Sequence, residues 1–460
     1  MSLRPIVYYG SVINPVSLTL FKALPACLLA VGGDGNIAWV DEDVPASGIQ
    51  EVLAAHGFED VEVVCLRDGE FIMPGFVDTH THGPQVPNMG SGQQYELLEW
   101  LEKITFPMES RFSDPAFAHA TYSSVVRRMI DAGTTTCCYY GTLHVEGTKI
   151  LADIVHRQGQ RAFVGKCNMD RHAPSHYVED SAEASIVATK SLVSHIDKLG
   201  SPDTRLVHPI LTPRFAITCS DDLLASLGEM AAADPTLRIQ THVSENPAEV
   251  VFAKALFPER PSYTHVYDHF GLLRNNTILA HAIHLEDEEI HLIAEKHAGI
   301  SHCPTSNFNL NSGIAPVGVY LDHGIKVGLG TDVSGGYSPS ILNAIQNCSI
   351  ASKVLAMQSR ADPGEEGFTN KQLSVATLLY LATEGGARVC SLDNIGTLDA
   401  GKSFDALIVN VGASATNPAI WSSPNSLPAK LEQFFFCGDD RNIARVYIQG
   451  RLIGGTSFTS

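Results

Sequence analysis

Two histidines separated by one residue close the run Pro74-Gly75-Phe76-Val77-Asp78-Thr79-His80-Thr81-His82. In a β-strand, residues i and i+2 point to the same side, so both imidazoles would face one space. Neutral imidazole is a preferred ligand of zinc and of ferrous iron. Single donors follow at the ends of later apolar runs: His242, His281 and Asp332. Three of these four imidazoles with the one carboxylate would suit either metal and leave a position for water. A metal of this kind lowers the pKa of its water to about 7. The pattern implies a metal-dependent hydrolase.

The run His242-Val243-Ser244-Glu245 adds a carboxylate three residues beyond a candidate ligand. Chemistry that expels an amine needs a proton shuttle near the leaving group, and Glu245 is placed for it. Asp332 can serve both as a ligand and as the acceptor of the water proton. The run from Arg205 to Phe215 contains no lysine. Barrels that hold two ions bridge them with a carboxylated lysine on that strand, so a single ion is expected here. Lys166, which ends the preceding run, reads as structural. His144-Val145-Glu146 matches half of the H-x-E…P-C-x-x-C deaminase signature, but the P-C-x-x-C half is absent. His144 therefore reads as incidental.

The elements that must position these groups alternate between apolar strand-like runs and amphipathic stretches. The expected strands are Gly75–Thr79, Thr134–Tyr140, Ala162–Lys166, Arg205–Leu211, Leu237–Val243, Thr277–His281, Gly299–His302 and Lys326–Thr331. Helical runs such as Asp222–Ala232 and Glu286–Lys296 lie between some of them. Eight strands alternating with helices predict a (β/α)8 barrel, whose catalytic groups gather at the C-terminal ends of the strands. A doubly wound open sheet would bring a Gly-rich phosphate loop after its first strand, and neither G-x-G-x-x-G nor G-x-x-x-x-G-K-[ST] stands there. Both chain ends read as short strands and turns, among them Ile6–Tyr9, Cys27–Val31, Asn36–Val40 and Val61–Cys65, then Ala406–Val409 and Arg445–Ile448. The expected organisation is a barrel over 74–390, with 1–73 and 391–460 together forming a small β-sandwich.

The 460 residues suffice for such a barrel and an accessory domain, and 44% apolar with 18% charged residues is a folded, globular composition. A net charge of −19 argues against nucleic-acid backbones and anionic membranes as partners. Ten cysteines without paired spacing read as buried thiols in a reducing compartment, the cytoplasm. No apolar run reaches the ~18 residues of a membrane helix, and the N-terminus lacks the apolar core of a signal peptide.

Several runs carry a resemblance. They are Pro74–His82; Leu98-Glu-Trp-Leu101 with Thr105-Phe-Pro107; Gly133-Thr-Thr-Thr136; Gln160–Lys166; Thr212-Pro-Arg-Phe215; and His242–Glu245. Ala280-His281, Ser301–Asn307, Gly328–Asp332 with Gly335-Gly-Tyr337, and Gly438-Asp-Asp-Arg-Asn442 continue them. Over nearly its whole length the chain resembles the amidohydrolase superfamily and, within it, the guanine deaminase family. The resemblance implies a distorted (β/α)8 barrel with a β-sandwich from both ends, and hydrolysis of guanine to xanthine and ammonia. It implies one zinc ion held by His80, His82, His242 and Asp332, with His281 orienting the attacking water and Glu245 protonating the purine. Gln85, Arg214 and Phe215 match substrate-binding positions, and a homodimer is implied as well.

A guanidinium at Arg214 suits the adjacent O6 and N7 acceptors of guanine. Gln85 can offer a donor and an acceptor to the remaining ring edge. Another aminohydrolase or a chlorohydrolase acting on a triazine, pterin or adenosine-like ring would use the same metal site. A non-catalytic scaffold of the same fold typically loses metal ligands, and every ligand position here is filled.

Overall fold

The computed structural model describes residues 3–201, 204–359, 366–417 and 426–459. Eight parallel strands form the barrel: Phe76–His82, Thr134–Tyr140, Arg161–Gly165, Val207–Pro213, Arg238–Val243, Thr277–His281, Gly299–His302 and Lys326–Leu329. Each pairs with its neighbour in chain order. The first and last meet through Thr79, whose hydroxyl donates to the Leu329 carbonyl at 2.9 Å. The Asp332 N–H donates to the His80 carbonyl at 2.9 Å, so the seam of the barrel runs through two candidate site residues. Nearly every residue of these strands is buried. Strands covered on both faces read as continuous apolar runs, which is why they were visible without alternation.

Helices between the strands seal the outside. Asp221–Ala233 starts at Ser220, whose hydroxyl accepts the Leu223 N–H, and it buries Leu223, Leu224, Leu227 and Ala231. Asp287–Glu295 opens on a capping box between Glu286 and Glu289. Both match the expected helical stretches to within a residue.

The two chain ends build a second, mixed sheet of eight strands, as expected. Its order runs Arg451–Gly454, Ile443–Ile448, Ala406–Asn410, Glu70–Pro74, Ile6–Ser17, Leu20–Val31 and Ile37–Asp41, with Glu62–Cys65 beside Ile6–Ser17. Ala406–Asn410 lies antiparallel on Glu70–Pro74, with Ala406 opposite Pro74, and this pairing brings the ends together. Tyr8 stacks on Phe404 with ring centroids 5.2 Å apart in the core of that sheet.

Glu70–Pro74 passes directly into the first barrel strand through Gly75. A Cβ at Gly75 would lie 2.2 Å from the Thr135 side chain, so only glycine fits where the second sheet hands the chain to the barrel. Among the described residues, no helix is long and apolar enough to cross a membrane.

Candidate active site

The C-terminal ends of the barrel strands converge as the chain order requires. His80 and His82 leave the first strand on the same side, His242 lies in the fifth, and His281 ends the sixth. Asp332 lies three residues beyond the eighth. One potential ligand atom from each of His80, His82, His242 and Asp332 lies within 4.8 Å of the others, and all four residues are buried. His80 Nε2 stands 3.1 Å and His82 Nε2 3.4 Å from Asp332 Oδ1. His82 Nε2 and His242 Nε2 face each other at 3.1 Å.

The tautomer of His242 follows from its neighbour. Its Nδ1 lies 2.5 Å from the Arg214 carbonyl, which can only accept, so Nδ1 carries the proton and Nε2 presents a lone pair. Burial pushes His80, His82 and His242 below the ordinary histidine pKa and keeps them neutral. Burial works against the Asp332 charge, but the facing histidines, His80 foremost, more than offset it and hold the carboxylate ionised. Neutral imidazoles aimed at one point beside a carboxylate are the donor set a divalent metal needs. The residues fit a metal ion.

Beyond this cluster stand the groups expected to move protons. His281 Nε2 lies 3.4 Å from Glu245 Oε2 and 3.6 Å from Asp332 Oδ2. Its Nδ1 sits 2.9 Å from Asn307 Oδ1, which fixes the ring. Burial first, then the Asp332 and Glu249 charges, push the Glu245 carboxyl well above the usual range and favour its protonated form. Ser244, His281 and Asp332 all adopt positive φ, at 49°, 71° and 43°. Non-glycine residues pay for that conformation, and here it aims the strand ends inward.

A pocket of about 370 Å³ opens onto this cluster. Its lining joins His82, His242, Glu245 and Asp332 to Gln85, Arg214 and Phe215, with Leu97, Trp100, Leu101 and Leu310 as the apolar wall. Every substrate-facing residue expected from the sequence is therefore in one cavity.

The two residues set aside earlier lie apart from this cluster. Lys166 is buried in bonds to Glu179 at 2.6 Å and to the Cys167 carbonyl at 2.7 Å. His144 precedes the helix Val145–Gln158, its ring 5.7 Å from that of Tyr177.

Residues 71–453 match the model of the amidohydrolase family. The chain belongs to the amidohydrolase family. Among its relatives, this amidohydrolase is 43% identical to the guanine deaminase of Dictyostelium discoideum over 97% of its own length and 98% of the relative's. It is 39% identical to that of Mus musculus over 97% and 96% of the two chains. Its fold superposes on the crystal structure of a guanine deaminase from C. acetobutylicum with guanine bound in the active site. That match has a TM-score of 0.86 at 33% identity, covering 98% and 100% of the chains.

The structure adds residues that the sequence reading of this amidohydrolase did not assign. Glu109, fully buried, accepts Arg214 Nη1 at 2.7 Å and Nη2 at 3.1 Å. Tyr177, Asn307 and the Trp100 wall likewise carried no role. Trp100 and Asn307 lie inside runs quoted for the resemblance, and Glu109 follows Thr105-Phe-Pro107 by two positions. A lone glutamate at a helix end carries no signal of its own, because most such residues are solvated.

Proposed function

We propose that the chain is a guanine deaminase that hydrolyses guanine to xanthine and ammonia, with one zinc ion held by His80, His82, His242 and Asp332. One observation carries the proposal. A buried guanidinium and a carboxamide, Arg214 and Gln85, share a single pocket with the histidine–aspartate cluster, in a chain whose relatives are guanine deaminases. Arg214 presents donors to O6 and N7, leaving C2 and its amine toward the cluster. Phe215 packs against the ring.

A zinc ion at the cluster would make water nucleophilic at neutral pH. Around it, the side chains divide the proton work. Asp332 takes a proton from the attacking water, and His281, held by Asn307, orients that water. Glu245, protonated at the start, gives its proton to the purine ring next to C2. As the C2 carbonyl forms, the C2 hydroxyl passes its remaining proton to Glu245. Asp332 gives the proton it took to the amine, and the bond from C2 to nitrogen breaks to release ammonia. Water adds and ammonia departs, so the carboxylates end as they began.

The same proposal places the barrel over 74–390, with 1–73 and 391–460 as one accessory unit. Ten unpaired thiols support residence in the cytoplasm, and the family resemblance supports a homodimer.

The test is ammonia release from guanine, adenine and a triazine amine supplied separately to purified protein. Release from guanine with rejection of adenine by a factor on the order of 10⁴ is expected, because adenine's exocyclic amine faces donors with donors. Release from the triazine alone would move the substrate to another heterocycle.

A further inference from the structure

We infer that Glu109 is a positioning residue that sets substrate specificity: it orients Arg214 and Gln85 and cancels the arginine's charge, so that the pocket takes a neutral purine and refuses an anionic one. The inference rests on the guanine reading of this pocket and deepens it.

A carboxylate has about four lone-pair sites, and all four of Glu109's are filled. Oε1 accepts Gln85 Nε2 at 2.8 Å and Arg214 Nη2 at 3.1 Å. Oε2 accepts Arg214 Nη1 at 2.7 Å and the Tyr177 hydroxyl at 2.6 Å. The side chain is fully buried and is not part of the pocket lining, so it has nothing left to offer a substrate. What it does is fix two groups that do face the substrate. Gln85 is held at both ends, because its Oε1 accepts the Ser334 N–H at 3.2 Å while its Nε2 donates to Glu109. The amide cannot flip without losing both bonds. Arg214 is gripped through two of its five N–H groups, and its Cζ lies over the Phe106 ring, 5.1 Å from the centroid.

The charge consequence is specific. Arg214 and Glu109 are each buried to within 2% of complete, so they form a neutral pair. A ring with uncharged acceptors, as guanine has at O6 and N7, matches that edge. An anionic ligand would need the guanidinium charge that Glu109 already answers. One segment, Leu97–Glu109, supplies three of the four apolar wall residues, the Phe106 platform and this anchor.

The test uses Glu109→Gln, which keeps the shape but removes the charge and offers an acceptor on one side only. The purified zinc-loaded enzyme and the variant are compared by guanine kcat and KM, and by inhibition with urate and with hypoxanthine. Urate is a purine monoanion at neutral pH, and hypoxanthine is neutral. For Glu109→Gln, guanine KM is expected to rise about tenfold to a hundredfold, the range of one charged hydrogen bond, with less change in kcat. Hypoxanthine inhibition weakens alongside, and urate inhibition tightens.

Glu109→Asp restores the charge and is expected to return urate to weak inhibition. Equal weakening of all three ligands, or no change in any, overturns the inference. If Glu109→Gln fails to fold, Tyr177→Phe, which removes one donor from the same carboxylate, decides. A rise in guanine KM larger than the fall in kcat supports the anchor, and an unchanged KM overturns it. Guanine turnover by the unsubstituted enzyme separates the two levels. Without it the functional reading and the inference fall together, and with it only the variants judge Glu109.

Discussion

Replacing Arg214 with lysine and, separately, with methionine divides its two roles. The guanidinium is 2% exposed and makes two bonds, at 2.7 and 3.1 Å, to a carboxylate that is fully buried. Arg214→Lys keeps a positive charge beside Glu109 but replaces a planar fork with one ammonium. One bond to Glu109 is lost, at about 1–2 kcal/mol of stability. The two-point match to guanine O6 and N7 is lost as well, at about 1–3 kcal/mol. That second cost corresponds to a fall of about 5- to 150-fold in kcat/KM.

Arg214→Met removes the charge and strands the Glu109 carboxylate in the core with only Gln85 and Tyr177 as donors. Breaking one side of a buried pair costs about 3–5 kcal/mol. Differential scanning fluorimetry should therefore show a small loss of Tm for lysine and a loss of several degrees for methionine. Guanine turnover should be impaired in both. If Arg214→Lys kept kcat/KM within about twofold, the arginine would not be reading the purine edge. If Arg214→Met were as stable as the parent, the buried-pair argument would fail.

The other variants address the cluster and its frame. His82→Ala removes a donor that faces both His242 and Asp332. It should abolish metal content, measured by elemental analysis, together with activity. Glu245→Gln leaves the four candidate ligands in place and should retain about one metal ion per chain while losing about 10²–10⁴ in kcat. A normal rate in that variant would remove Glu245 from the proton path. Gly75→Ala places a Cβ 2.2 Å from the Thr135 side chain. It should destabilise the enzyme by about 1–3 kcal/mol, read as a lower midpoint of thermal unfolding.

Much of the barrel was legible because its strands are short apolar runs between turn signals. Thr134–Tyr140, Thr277–His281 and Gly299–His302 have the ends expected of them. Departures have local causes. The first strand extends past Thr79 to His82 because Thr81 and His82 pair with Tyr139 and Tyr140. The first strand of the second sheet runs from Ile6 to Ser17, well beyond the expected Tyr9. Gly10 and Pro15 look like breakers in sequence, but the sheet absorbs them as register shifts next to both residues.

At the site, the ligand candidates were legible because each lies in the last three residues of a strand or just beyond one, and barrel geometry carries such residues to one face. Glu109 was not, because its meaning lies in three partners at distant positions: 85, 177 and 214. The sequence separation of those partners gives no local pattern to read. An arginine such as Arg214 can be one half of a salt bridge or a substrate contact, and its sequence position does not separate the two. The structure supports the salt bridge and places the same residue in the pocket wall.

The most direct measurement follows guanine loss, xanthine appearance and ammonia release together, in enzyme stripped by a chelator and in the same enzyme reloaded with zinc. One xanthine and one ammonia per guanine, absent from the stripped sample and restored by zinc, is the expected result. Full turnover by the stripped enzyme, or none by a zinc-loaded one, would contradict a zinc-dependent guanine deaminase.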